Sequence, residues 1–158
     1  MSTIGWLAFQ DLGIKQSIKD AQYFGTVCPS RASELQAIMV LRASDAIIEK
    51  NMKIIRHNFQ LLQKFIQTYA DLFEWVLPKA GAVCFMKFKG PLNTDELGAQ
   101  LAAEGISMKP AYCFTDAVSE ENDYFRVGYG EEKMPKALNA LIAFVEKNKS
   151  AWRRRAKL

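Results

Sequence analysis

Apolar residues recur along this chain with two different periods, and the change of period marks its organisation. From Arg31 to about Phe73 there is neither proline nor glycine. Leu35, Ile38, Met39, Ala46, Ile55, Phe59, Leu62, Phe65, Ile66, Tyr69 and Phe73 follow one another mostly at steps of three and four or their multiples. That spacing predicts an amphipathic helix. Unbroken, it would be a rod on the order of 60 Å, longer than so small a domain uses, so the stretch reads as two helices or one kinked helix. A coiled coil would need charged pairs flanking a strict 3.5-residue repeat, and these are not evident. The break at Gly25–Ser30, which contains Pro29, precedes the stripe, and Ser30 is placed to cap it.

Beyond Pro78 the period shortens. Ala82 to Phe88 predicts a strand with apolar residues on both faces. Asn93 and Glu96 have the spacing of a capping box for a helix ending at Gly105. Ile106 to Lys109 predicts a short second strand, Thr115 to Asp123 an acidic loop, and Tyr124 to Tyr129 a third strand. Pro135 opens a final helix with Leu138, Leu141, Ile142 and Val145 on one face. The fold class is α+β: a long helix, then a small three-stranded sheet covered on one face by helices. Before all this, Ile4 to Phe9 is a continuous apolar run that reads as a buried parallel strand, followed by a helical segment over Asp11–Tyr23.

Composition narrows the class. At 158 residues and 49% hydrophobic content the chain is long enough for one cored domain. No apolar run has the length of a membrane span, and a cytoplasmic location is expected. The three cysteines, Cys28, Cys84 and Cys113, are odd in number and widely spaced, which predicts buried free thiols rather than disulfides or a metal site. The net charge is +4, and Arg153, Arg154, Arg155 and Lys157 supply all of that excess. The basicity is thus a tail, expected to fray in solvent, and no motif supports a nucleic-acid partner.

Candidate chemistry is sparse. His57, the single histidine, lies on the long helix among polar neighbours and reads as a surface residue. Asp116, Glu120, Glu121 and Asp123 crowd one loop and read as solvated charge. The exception is Tyr124-Phe-Arg-Val-Gly-Tyr-Gly130, where Arg126 interrupts an apolar strand. A guanidinium is costly to desolvate and seldom buried without an anion. Its planar fork suits a carboxylate. A surface arginine paired with Glu131 or Glu132 is the competing reading.

Several segments, in order, carry a resemblance. Ile4-Gly5-Trp6, the break before a long helix at Pro29-Ser30, Pro78-Lys79-Ala80-Gly81 followed by Phe85, Lys109-Pro-Ala-Tyr-Cys-Phe114, and Phe125-Arg-Val-Gly-Tyr-Gly130 resemble the C-terminal part of a class I/II aminotransferase, a fold-type I enzyme dependent on pyridoxal phosphate. The resemblance implies that residues 1–30 are a remnant of a large cofactor-binding domain, 31–150 a small domain and 151–158 a basic tail. It implies that Arg126 holds a substrate α-carboxylate, in amino-group transfer between an amino acid and a 2-oxo acid. The family's cofactor lysine lies upstream of Ile4-Gly5-Trp6, and its phosphate-binding arginine falls where this chain has Thr3. The expectation is therefore that this chain alone binds no pyridoxal phosphate and has no catalytic residues. It would act with a separate large-domain chain, or as a non-catalytic binding or assembly module of the same descent. Lys79 and Lys109 are not expected to form a Schiff base. The unpaired apolar run at 4–9 and the long apolar stripe lead us to expect self-association.

Overall fold

The computed structural model describes residues 4–119 and 121–155 and divides the chain into two compact units, one ending at Lys50 and one beginning at Asn51. In the first unit the segment 4–9 is extended coil and pairs with no strand. The predicted strand is absent there because a parallel strand needs neighbours on its backbone edges, and no other strand lies among this unit's described residues. Instead Trp6, Leu7 and Phe9, with Ile18 and Ala21, line a shallow apolar hollow beside α1 (Lys15–Gly25), which follows a 3-10 turn capped by Asp11. Helix α2 (Arg31–Arg42) starts after Ser30, which stands at the N-cap position with an extended backbone but makes no side-chain capping bond. Helix α3 (Ser44–Thr68) follows after Ala43. The long apolar stripe is therefore two helices.

In the second unit α3 ends sooner than its apolar period suggests. The amides of Leu72 and Phe73 both bond back to the carbonyl of Tyr69, and the chain turns into β1 (Phe73–Trp75). This strand was hidden in the helical stripe, because three residues of alternation cannot be told from the end of a 3.6-residue period. Strand β2 (Val83–Phe88) follows, then α4 (Thr94–Ala103), β3 (Tyr124–Gly128) and α5 (Met134–Arg155). The sheet is antiparallel in the order β1-β2-β3.

The strand predicted over Ile106–Lys109 is not formed. Only Lys109 reaches β3, as an isolated antiparallel bridge to Arg126. Gly105, left-handed at φ 76°, ends α4 and turns the chain. Pro110 then supplies no amide to extend the ladder. The Asn93–Glu96 capping box is present with both of its bonds, 2.9 and 3.1 Å.

Alternation sorts the sheet into two faces. Cys84, Met86 and Phe88 of β2 and Phe125 of β3 point into a core completed by Leu62, Phe65 and Ile66 of α3, Leu97 and Leu101 of α4, and Leu138, Phe144 and Val145 of α5. Each such side chain, fully buried, stabilises by roughly 1.5–3 kcal/mol. Val83, Phe85 and Lys87 lie on the other face, which the helices of this unit leave open.

The basic C-terminus is not a frayed tail as far as Arg155, because α5 continues through it. Trp152 is buried against Phe88 and Phe144, and Arg153 bonds Asp71 at 2.6 Å. An indole with two aromatic neighbours holds the last turn in helix. The residues beyond Arg155, with Lys157, lie outside the described ones, as do Thr3 and Glu120.

Of the cysteines only Cys84 is buried; Cys28 and Cys113 are exposed, contrary to the expectation of three buried thiols. Cys113 sits at the end of a surface turn, so its apolar sequence neighbours do not enclose it. Burial pushes the Cys84 thiol up to about 12. Tyr69 is likewise pushed up to about 12, chiefly because its hydroxyl donates to Glu146 at 2.7 Å, with burial adding to the effect. Both folded values exceed the unfolded ones, so the stability linked to them is complete below pH of about 9 and is lost as pH rises toward 12. We predict that a thiol reagent titrates two cysteines quickly in the native chain and the third only with unfolding. The midpoint of denaturant unfolding should fall steadily between about pH 9 and pH 12. Equal reactivity of all three thiols, or a midpoint flat across that range, would contradict this account.

Candidate carboxylate site

Arg126 stands in the middle of β3, opposite Phe85 of β2. Its neighbour Phe125 is buried in the core, so alternation turns Arg126 to the open face. The side chain is half-buried, and its guanidinium carbon lies 5.5 Å from the centroid of the Phe114 ring. Phe114 meets Phe85 edge-to-face, with centroids 5.3 Å apart. The guanidinium is therefore held on an aromatic corner, a cation–π arrangement that strengthens as water is excluded.

Lys109 lies directly across the other edge of β3. The Arg126 amide donates to the Lys109 carbonyl at 2.8 Å, and the Lys109 amide to the Arg126 carbonyl at 3.4 Å. Directly opposed residues of an antiparallel pair share a face. The open face thus carries two cations side by side, a pairing that is unfavourable by itself and is relieved by an anion between them. Beside them Val76, Phe85, Ala111, Phe114, Thr115, Asn122 and Tyr124 line a hollow of about 300 Å³.

Thr94, which the sequence does not single out, and Asp123, which it presents as solvated charge, place these groups. Thr94, 2% exposed at the first position of α4, accepts at its hydroxyl from the Ala111 amide at 3.2 Å and donates to Asp123 at 2.5 Å. Asp123 also accepts from the Thr94 amide at 2.9 Å. One threonine and one aspartate thus join the start of α4, the turn leading to Phe114 and the residue preceding β3. Asp123 is accordingly not part of a freely solvated acidic loop. Its position just before a strand gave no local signal, because its partner lies 29 residues away. Asn58, also missed, is 1% exposed on α3 and donates to the carbonyls of Tyr129 at 3.0 Å and Glu131 at 2.8 Å. A buried asparagine on an apolar stripe is the one signal that would have singled it out.

His57 is exposed on α3 as expected, and Lys79 and Lys109 are exposed too. No group of three metal-ligating side chains occurs among the described residues, and no helix there is long and apolar enough to cross a membrane. Arg126 itself lines a larger cleft of about 540 Å³ together with Glu131 and Lys133; the hollow under Phe85 and Phe114 has no amine among its lining residues and no carboxylate to meet a pyridine nitrogen. Its lining does not, by itself, fit pyridoxal phosphate.

No protein-family model matches the chain, and no curated protein does. Solved structures do. A PLP-dependent (pyridoxal-phosphate-dependent) aminotransferase from Streptococcus suis 89-1591 is 22% identical, with a TM-score of 0.74 over 86% of this chain and 36% of that one. A PLP-dependent cyclase is 20% identical, with a TM-score of 0.74 over 86% of this chain and 37% of that one. The alpha-aminoadipate aminotransferase of Thermus thermophilus is 17% identical, with a TM-score of 0.58 over 84% of this chain and 37% of that one. The chain has the fold of a part of PLP-dependent aminotransferases and spans about a third of their length.

Proposed function

We propose that this chain is the substrate-clamping portion of an aminotransferase, in which Arg126 receives the carboxylate of an amino acid or 2-oxo acid. The observation that carries the reading is the half-buried guanidinium on the open face of the sheet, braced against Phe114 opposite Phe85. The fold agrees, since the similar structures include aminotransferases. Fold alone does not decide function; the arginine on the open face is what supports this reading. A carboxylate there accepts two parallel bonds from the guanidinium fork, which fixes both its position and its orientation. Pyridoxal phosphate supplies the electron sink for amino-group transfer. The groups that hold it would come from a large domain, whether on the same polypeptide or on another. The residues described here bind and orient the acid.

The same reading assigns an association surface to the first unit. Trp6, Leu7 and Phe24 are 73%, 75% and 85% exposed, and Leu12, Tyr23 and Met39 are exposed with them. Isolated surface apolar residues are ordinary, but a run of this density marks a contact surface. Its partner is a second copy of this chain or a large-domain chain. An assembly module without catalysis is the second reading, and this apolar surface is what favours it. A cytoplasmic location fits the three free thiols.

Two outcomes follow. Titration of the isotope-labelled chain with pyruvate, followed by NMR, should shift the resonances of β3 and Phe114. Arg126→Gln should weaken that binding by about 10- to 100-fold, the loss of a charge-assisted bidentate pair of roughly 1.5–3 kcal/mol. Unchanged affinity in the variant would remove the reading. In analytical ultracentrifugation at micromolar concentration the chain should sediment as a dimer or larger species, and a clean monomer would refute self-association.

A further inference from the structure

We propose that the site on the open face selects a monocarboxylic acid with an aliphatic or aromatic side chain, its carboxylate lying between Arg126 and Lys109 and its side chain in the hollow under Phe85 and Phe114. The proposal rests on the reading of Arg126 as a carboxylate clamp and adds to it the class of acid and a second cation.

Three observations converge. First, Lys109 and Arg126 form a hydrogen-bonded cross-strand pair, so the two cations are neighbours on one face. The like-charge pair gains most from an anion that touches both. Arg126 provides the directional fork and Lys109 a mobile point charge. Second, the hollow shares Phe85 and Phe114 with the corner that holds the guanidinium, so an acid anchored there places its substituent against these rings. The hollow is bounded by Val76, Phe85, Phe114 and Tyr124, and its remaining lining residues, Ala111, Thr115 and Asn122, carry no charge. Third, the other open-face cation, Lys87, stands 5.7 Å from the Tyr124 ring centroid and faces Glu74 in register. A second carboxylate entering the hollow would lose its hydration in an apolar cup, which is costly. A methyl-branched or aromatic group entering it would gain by leaving water.

The experiment is a set of NMR titrations of the 158-residue chain with 4-methyl-2-oxopentanoate and with 2-oxoglutarate, at one ionic strength. The expected result is at least about tenfold tighter binding of the branched acid, with shifts at Phe85, Phe114 and Tyr124. Lys109→Gln should weaken both acids severalfold, and Lys109→Arg should restore them. Phe114→Ser should reduce the preference between the acids more than it reduces their mean affinity. Val76→Ser, at another residue that lines the hollow, should do the same and serves if Phe114→Ser does not fold. Equal or tighter binding of 2-oxoglutarate, or a preference unmoved by the hollow variants, would overturn the selectivity while leaving Arg126 as a clamp. Binding of either acid that survives Arg126→Gln unchanged, or no binding of either acid, would overturn the clamp and this proposal together.

Discussion

The register of β3 against β2 is the constraint on which this site depends, and a buried asparagine helps to set it. Side chains alternate between the two faces of a sheet, so a slip of one residue would exchange them. Arg126 would then enter the core among Leu62, Phe65 and Met86, and Phe125 would take its place in water. The far end of β3 is held at several points that oppose such a slip. Asn58 donates to the carbonyls of both Tyr129 and Glu131. The Tyr129 amide bonds Ala82 at 2.8 Å, and its hydroxyl donates to the carbonyl of Gly81 at 3.2 Å. Gly130 passes so near Ala82 that a Cβ there would lie 2.8 Å from the alanine's own. Any side chain at 130 would push the strand off its neighbour.

The near end is fixed by different chemistry. Asp123 and Thr94 tie the residue before β3 to the start of α4 and to the turn that carries Phe114. A strand pinned at both ends displays its central residue reproducibly. Arg126 is therefore positioned by side chains that do not touch it, and the aromatic corner formed by Phe114 and Phe85 gives its guanidinium a direction. Tyr69, Glu146, Asp71 and Arg153 close the other side of the core by joining the end of α3 to α5. The Arg153 guanidinium beside Asp71 holds that carboxyl below the usual range.

What the sequence made legible followed from period and local chemistry. The helical stripe, the capping box at Asn93, strands β2 and β3 and the final helix are all encoded within a few residues of where they form. Arg126 was legible because one charge in an apolar strand is conspicuous. What escaped was non-local or too short. Strand β1 is three residues long and continues the helical spacing of Tyr69, Leu72 and Phe73. The bridge at Lys109 was over-read as a strand, since Ile106 and Met108 alternate correctly yet Pro110 stops the ladder. The run Ile4–Phe9 has the composition of a buried strand, but composition does not supply a neighbouring strand. Asn58 matters through a partner 71 residues distant, Asp123 through Thr94 at 29, and Thr94 also through Ala111 at 17, which no window of sequence reveals.

Amide hydrogen exchange on the chain and on Asn58→Ala tests the central claim most directly. If Asn58 holds the register of β3, the variant should lose protection at Tyr129 and along Tyr124–Gly128 well beyond any loss along Phe73–Trp75. The resonances of Arg126 and Phe114 should broaden or shift with it. Leaving the buried Tyr129 carbonyl and the part-buried Glu131 carbonyl without this donor would also lower global stability by about 1–3 kcal/mol. A uniform loss of protection across all three strands, with the Arg126 and Phe114 resonances unmoved, would show that Asn58 contributes only to stability and would contradict the account.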